Sequence, residues 1–317
     1  MLPKNICLGI MFLIVTTAGT VANLFLFTFY MLNILGGHKK SSITLIFAQL
    51  SLVNSTMLLI KGIPQTLQGL TWNYFLDDAG CKIVFYLRTL SQGLSISFTC
   101  LLCIFQAITI SPPNSRWADF KVTLTQQTKS ICLFSWILNL FIEIPVFVNA
   151  RGPRSNNITK AFDGVFCTAE LIMDFYLIIT TFRNVLCLGI MVLASGYMVF
   201  LLHRHHQQVQ NFQTTKLSPK RHPEIRATQI ILLLMITFVS FYAITNNFTL
   251  FLSYSDQTSP WMLPTAVFLS LCYPTISPFM LIPRVPRPPC IIWTKKDTHS
   301  VASRPARGCK GEKIEIE

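Results

Sequence analysis

Seven long apolar stretches occupy most of this chain, and they restrict its fold more than any other feature does. They are Ile6–Leu32, Ile43–Leu67, Cys81–Ile110, Ser130–Val148, Leu171–Leu202, Ala227–Leu252 and Trp261–Ile282. A helix needs about 20 predominantly apolar residues to cross the hydrocarbon core of a bilayer, and each stretch is about that long or longer. We therefore predict an all-α membrane protein, a bundle of seven transmembrane helices joined by short loops.

The composition indicates that lipid is the solvent of these helices. Hydrophobic residues make up 51% of the chain and charged residues only 12%, whereas soluble domains carry about 25% charged residues. A soluble protein with very apolar core helices is the alternative, and the length of the stretches disfavours it. We expect one membrane domain over residues 1–282 and a basic tail without a stable fold over residues 283–317. The first stretch is too long for the apolar region of a cleavable signal peptide.

Basic residues concentrate on one side of the predicted bundle. Most of the 26 lysines and arginines fall in the first, third and fifth loops (36–42, 111–129 and 204–226) and in the tail. The positive-inside rule makes that side cytoplasmic, so the amino end is expected outside the cell and the carboxyl end inside. Because basic residues beside a membrane already face anionic lipid headgroups, we expect no nucleic-acid partner.

Four cysteines lie at the end of a predicted span or outside the spans. Cys81 begins the third stretch at the outer side, and Cys167 lies in the second outer loop. The outer side is oxidising, so a disulfide there would persist, and we hypothesise that these two cysteines form one. Cys290 and Cys309 lie in the basic tail and are candidates for palmitoylation.

Three N-x-S/T sequons occur, at Asn54, Asn157 and Asn247. The first and third lie inside predicted spans, so Asn157 in the second outer loop is the expected glycosylation site. We find no HExxH, GxSxG or phosphate-binding loop, and therefore expect no enzyme, no metal and no cofactor.

Polar and ionisable residues recur in the outer halves of the spans. Burying such residues in a membrane costs free energy, so their presence tends to indicate a functional site. Together with nearby aromatic residues they indicate a pocket for a small molecule. Ion pairing between helices is the alternative, with Glu143 or Asp174 bound to Arg88 or Arg183. For Lys61, a side chain that extends to the headgroup layer explains its position equally well. The candidate ligand contacts are Lys61, Tyr86, Arg88, Gln92, Arg183, Asn184, Tyr242 and Asn246.

Several longer strings are similar to one family of receptors. The segment Cys100–Pro112, followed by Asn114–Trp117, resembles the third span and second inner loop of vomeronasal type-1 receptors. Similar strings, together covering about residues 15 to 282, are Lys61–Thr66, Leu76–Leu87, Pro223–Gln229 and Cys272–Phe279. Arg183 and the proline-rich tail after Ile282 depart from the family's pattern.

The resemblance implies a G-protein-coupled receptor for small-molecule pheromones, coupled to an inhibitory-type G protein in the plasma membrane. It also implies the Cys81–Cys167 disulfide and the Asn157 glycan. The basic residues expected to face the G protein, with lipid headgroups as the alternative partner, are Arg116, Lys121, Arg204, Lys220, Arg221 and Arg226. A bitter-taste-type receptor and a small-solute transporter are the alternative functions.

Overall fold

The computed structural model describes residues 2–36, 42–70, 78–112, 117–151, 161–164, 167–170, 174–212, 223–254 and 262–282. The helices in these ranges are α1 Leu2–Leu35, α2 Ser42–Gly69, α3 Asp78–Thr109, α4 Trp117–Ile142, α5 Ile144–Asn149, α6 Asp174–Phe212, α7 Pro223–Tyr254 and α8 Met262–Leu281. Within the described ranges, seven helical segments are long and apolar enough to cross a membrane, with α4 and α5 together forming one of them. The predicted seven-helix architecture is confirmed.

The helices extend beyond the apolar stretches at the basic side. Helix α4 begins at Trp117 rather than at Ser130, and α6 continues to Phe212 rather than ending at Leu202. Hydropathy identifies only the part of a helix that contacts hydrocarbon, whereas the Gln, Lys and Leu residues beyond it are also good helix formers. Two predicted loops are therefore partly helical, and Lys121 and Arg204 lie on helices instead of in loops.

Neighbouring spans run in opposite directions. Along α2 and α3, Lys61 pairs with Gln92 while Asn54 pairs with Ser95, so residue numbers rise on one helix as they fall on the other. One face of the bundle, which we call the sheet face, carries the helix ends Leu2, Gly69, Asp78, Asn149, Asp174, Tyr254 and Met262. The opposite face, the tail face, carries Leu35, Ser42, Thr109, Trp117, Phe212, Pro223 and Leu281.

A small antiparallel sheet follows the fourth span at the sheet face. Its strands are β1 Ala150–Arg151, β2 Ala161–Gly164 and β3 Cys167–Glu170, in the order β1-β3-β2. Strands this short carry too few residues to show an alternation of apolar and polar side chains. The sequence therefore predicts only a loop in this part of the chain.

Helix α3 lies at the centre of the bundle. In its most apolar window 72% of the residues are buried, against 17% for α6, whose surface is available to lipid. A polar side chain on α3 therefore meets other helices rather than hydrocarbon.

The fourth span is broken at Glu143, which lies between α4 and α5. Pro145 is at the start of α5. Proline has no backbone N–H, and its ring clashes with the carbonyl group four residues earlier, so a helix breaks before it. The break places the buried carboxyl group of Glu143 at an irregular point of the span.

A second proline effect joins the first and last spans. Pro278, inside α8, cannot donate a hydrogen bond to the carbonyl oxygen of Pro274. The Asn23 side chain of α1 donates one instead, with Nδ2 at 2.8 Å from that oxygen. Its other N–H reaches the Gly19 carbonyl oxygen of its own helix, also at 2.8 Å. Proline inside a membrane helix is tolerated where a neighbour satisfies the freed group in this way.

We expect Asn23→Leu to destabilise the bundle by about 1–3 kcal/mol, because it removes the donor at 2.8 Å and leaves the buried Pro274 carbonyl oxygen only the long hydrogen bond from Ser277 Oγ at 3.4 Å. Asn33→Leu is the matched control, since the Asn33 amide donates to Phe29 of its own helix. The measurement is the thermal unfolding temperature of each variant purified in detergent. Equal losses in both variants would show that the α1–α8 hydrogen bond contributes nothing.

Candidate functional site

A cavity lies between α2, α3, α7 and α8. About 370 Å³ of space between these helices is free of protein atoms, its open mouth included. Aromatic rings form much of its wall, with the Phe238 and Tyr273 centroids 4.6 Å apart in an edge-on arrangement. The residues lining it are Met57, Gln92, Ser95, Ile96, Phe238, Phe241, Tyr242, Thr245, Leu269, Ser270 and Tyr273. A mostly apolar wall with a few polar groups is typical of small-molecule sites.

Two predicted ligand contacts meet beside this cavity. Lys61 of α2 is only 4% exposed, and its Nζ donates to Gln92 Oε1 of α3 at 3.0 Å. Arg88 lies on the same helix as Gln92, four residues and about one turn before it. The Lys61 ammonium therefore stays inside the bundle instead of reaching the headgroup layer.

Arg183 of α6 pairs with Glu143 at the break in the fourth span. Its Nη1 lies 2.8 Å from Glu143 Oε1, and the two side chains are 11% and 1% exposed. Tyr176 donates to the other carboxylate oxygen, Oε2, at 2.7 Å. This contact is the interhelical ion pair that the sequence offered as the alternative to a ligand contact. A ligand contact by Arg183 stays a prediction.

Asn139 and Gly93 complete the surroundings of the ion pair. The Asn139 side chain is fully buried, accepts from Arg183 Nη1 at 3.1 Å and donates to Ser97 Oγ at 3.1 Å. A Cβ atom on Gly93 would lie 2.5 Å from Asn139 Oδ1 and 2.6 Å from Arg183 Nη1. The α3 backbone therefore approaches this pair at a position where only glycine fits without displacement.

Asn139 and Gly93 were not among the residues predicted from the sequence. One signal was present, because Asn139 precedes Glu143 by four residues and so shares its helix face. Nothing in the sequence identifies which of the chain's glycines faces a partner.

Asn184 links the ion pair to the cavity wall. Arg183 Nε donates to Asn184 Oδ1 at 3.2 Å. The amides of Asn184 and Asn246 lie near the buried hydroxyl group of Tyr242, which has no hydrogen bond of good geometry within the described part of the chain. A cavity wall with an unused hydroxyl group can hydrogen-bond to a bound molecule.

Tyr86 lies on a different side of α3. Its hydroxyl group donates to the Leu140 carbonyl oxygen at 3.1 Å, and its ring packs edge-on against Phe147. The structure therefore does not bring Tyr86 together with the cavity-lining residues.

At the tail face, two of the predicted G-protein contacts are described, and both are exposed. Lys121 of α4 donates to the Thr109 carbonyl oxygen at 3.2 Å, where α3 ends. A cation is favourable there because the carbonyl groups of the last helical turn point towards it. The side chains of the other four predicted contacts lie outside the described residues; they are Arg116, Lys220, Arg221 and Arg226.

Cys81 is fully buried near the start of α3 and takes part in a disulfide bond. It packs against Ala150 of β1, and β1 pairs with β3, which begins at Cys167. The side chain of Cys167 and the whole of Asn157 lie outside the described residues, so the pairing and the glycan stay predictions.

Comparison with known proteins shows that the chain is similar to chemosensory receptors. Residues 6–289 match the vomeronasal organ pheromone receptor family. The chain is 37% identical over 295 residues to human "Vomeronasal type-1 receptor 3", covering 91% of this chain and 94% of that protein. It is 28% identical over 280 residues to "Olfactory receptor class A-like protein 1" of Danio rerio, covering 86% and 88%.

Among solved structures, squid rhodopsin superposes on the chain with a TM-score of 0.67 at 14% identity. The match covers 87% of this chain and 76% of the rhodopsin chain. At that identity the likeness establishes the fold, a rhodopsin-like bundle of seven helices.

Proposed function

Because this chain belongs to the vomeronasal type-1 receptor family of G-protein-coupled pheromone receptors, we propose that it detects a small molecule in the cavity between α2, α3, α7 and α8. It is a multi-pass protein of the plasma membrane and not an enzyme. The inhibitory-type G protein is the proposed partner inside the cell. The observation that carries this proposal is the cavity itself, with an aromatic wall and polar groups from the three helices α3, α7 and α8.

The sheet face is proposed to lie outside the cell. The positive-inside rule supports this orientation, because most basic residues of the sequence fall on the loops and tail of the opposite face. A ligand from outside then reaches the cavity from the sheet face, and the G protein meets the tail face.

A chain of polar contacts continues from the cavity towards the tail face. Tyr273, in the cavity wall, shares a hydrogen bond with Thr99 of α3 at 3.1 Å. One turn further along α8, Ser277 accepts from Asn54 Nδ2 of α2 at 3.0 Å. A ligand shifts the balance between two helix arrangements only by its difference in affinity for them. We infer that these contacts between α2, α3 and α8 rearrange when a bound ligand shifts that balance.

The disulfide hypothesis gains support from the other cysteines. The described cysteines with free thiols are Cys7, Cys100, Cys103, Cys132, Cys187 and Cys272. The remaining cysteines of the sequence are Cys167, Cys290 and Cys309, and Cys167 begins β3, which pairs with β1 beside Cys81. We therefore propose Cys81–Cys167, which would hold the sheet against the start of α3. We also propose that Asn157, outside the cell in this orientation, carries a glycan.

The test is a ligand screen in cells that display the receptor, with cyclic AMP as the readout and pertussis toxin to block inhibitory-type G proteins. We expect activation that the toxin abolishes. For a ligand so found, Tyr242→Phe is expected to weaken potency by roughly tenfold, because it removes one hydrogen bond in a desolvated site.

Tyr86→Phe is the matched control, since it removes a hydroxyl group from the same helix bundle away from the cavity. Its potency should equal that of the unmodified receptor at equal surface density. Solute uptake without G-protein activation would favour the transporter alternative, and activation that persists in the toxin would exclude the inhibitory partner.

A further inference from the structure

We propose that Cys100 of α3 and Cys187 of α6 are an oxidation-sensitive pair, which a small peroxide converts into a disulfide bond that fixes the third span against the fifth. Thiols inside membrane spans usually serve as small apolar groups. These two thiols are both free, and they share a hydrogen bond with each other. Neither cysteine lines the ligand cavity, so the inference does not depend on the proposed function.

The packing of α3 on α6 places the two thiols on facing sides of these helices. A Cβ atom on Gly93 of α3 would lie 2.6 Å from Arg183 Nη1 of α6. Cys100 follows Gly93 by seven residues, a spacing that returns to the same face of a helix. Cys187 follows Arg183 by four residues, which also returns to the same face. The faces that meet at the ion pair therefore also carry the two cysteines.

A second contact between the helices fixes the depth of the two thiols. Ser111, just past the end of α3, shares a hydrogen bond with the Tyr197 hydroxyl group of α6, with 3.0 Å between the oxygens. At about 1.5 Å per residue, Cys100 lies about 17 Å back from Ser111. Cys187 lies about 15 Å back from Tyr197 on the same scale. Since the third and fifth spans run in the same direction, the two sulfurs lie at nearly the same depth.

The surroundings of the pair suit oxidation to a bond between the two sulfurs. Cys100 is 5% exposed, whereas Cys187 is half-buried on α6, whose surface is available to lipid. A small neutral peroxide can enter hydrocarbon, and it reaches Cys187 first because that thiol is the more exposed. Two sulfurs already in hydrogen-bond contact need to approach by only roughly 2 Å to reach the S–S bond length.

The oxidation consumes one peroxide for each bond formed. The Cys187 sulfur attacks one peroxide oxygen, the O–O bond breaks, and the departing oxygen leaves as water with the thiol proton. Cys187 becomes a sulfenic acid in this step. The Cys100 sulfur then attacks the sulfenic sulfur, the S–O bond breaks, and a second water leaves with the Cys100 proton. The two thiols together lose two electrons, and the peroxide is reduced to two waters.

The test treats the full-length receptor in phosphatidylcholine nanodiscs with hydrogen peroxide and then blocks the remaining thiols with N-ethylmaleimide. Mass spectrometry of a digest is expected to find the peptides of Cys100 and Cys187 joined. The unfolding temperature should rise by about 5 °C or more, because the bond closes a long loop of the chain and restricts its unfolded state.

Each variant is compared with itself before and after peroxide, so a change in its starting stability cancels. Cys103→Ala is the matched control, because it removes a buried thiol one turn further along α3 and should keep both the bond and the temperature shift. Cys187→Ala and Cys100→Ala should each abolish both, and either variant serves if the other fails to fold.

Joined peptides of Cys100 and Cys103, a sulfinic acid at Cys187 without a bond, or two unmodified thiols would each overturn the proposal. An equal temperature shift in Cys187→Ala would show that peroxide acts elsewhere in the protein. A joined pair without a shift would show that the bond does not hold α3 against α6. None of these arms uses a ligand or a G protein, so failure of the signalling proposal would be seen separately.

Discussion

Arg183→Met is expected to remove most of the receptor from the cell surface. The substitution leaves the Glu143 carboxylate, whose side chain is 1% exposed, without its cation. Breaking one half of a buried ion pair costs about 3–5 kcal/mol, because the other charge remains out of water. Such a loss exceeds half the stability of many domains, and we expect retention and degradation of the variant. The measurement is surface density by antibody labelling of intact cells, together with the unfolding temperature of the purified protein.

A second substitution separates charge from packing in this prediction. Glu143→Gln added to Arg183→Met removes the uncompensated carboxylate, and we expect it to restore much of the surface density. Arg88→Met is the matched single control, since Arg88 has no carboxylate partner among the described residues and its loss leaves no charge behind. Low surface density of the double variant, or an equal loss in Arg88→Met, would contradict a stabilising role for the ion pair.

Gly93→Ala is expected to destabilise the bundle by about 1–3 kcal/mol, the usual cost of forcing atoms into a packed interior. The added methyl group would meet Asn139 Oδ1 and Arg183 Nη1, at 2.5 Å and 2.6 Å. Both atoms belong to the buried ion-pair network, and neither is the free end of a mobile side chain. We therefore expect α3 and α6 to move apart or the Arg183–Asn139 hydrogen bond to break.

Gly189 and Gly196 provide the control for this substitution. Both lie in α6, and a Cβ atom on either would meet nothing within 4 Å. Alanine at these two sites should be neutral or stabilising by about 0.5–1 kcal/mol, because it reduces the freedom of the unfolded chain. The measurement is the unfolding temperature of each of the three purified alanine variants. A similar shift for all three would show that Gly93 is not constrained by its neighbours.

The seven spans could be predicted from the sequence because burial in lipid depends on the residues of each segment alone. Their ends could not. Helix α4 begins at Trp117 and α6 ends at Phe212 in polar sequence, where hydropathy carries no information about helix length. The break at Glu143 is caused by Pro145. The sequence alone does not show whether this proline breaks the fourth span or only bends it.

The structure brings part of the predicted set of ligand contacts together, and their role stays a prediction. Gln92 and Tyr242 line one cavity and Lys61 donates to Gln92 beside it, because polar residues in the same half of several spans turn away from lipid. Tyr86 does not lie at the cavity. An aromatic side chain is as stable against lipid as inside the bundle, so the sequence does not indicate which way it faces. Asn139 and Gly93 were missed because their importance depends on the rotation of α3 and α4 about their axes. Packing between helices sets that rotation, and no local pattern records it.

The hydrogen bond from Asn23 to the carbonyl group of Pro274 joins residues 251 positions apart. During synthesis the first span enters the membrane long before its acceptor exists, so this amide has only the Gly19 carbonyl of its own helix until the seventh span arrives. The contact can therefore form only after the last helix has been synthesised and inserted. A product shortened ahead of that helix would expose an unsatisfied amide to hydrocarbon, a defect that cellular quality control can recognise.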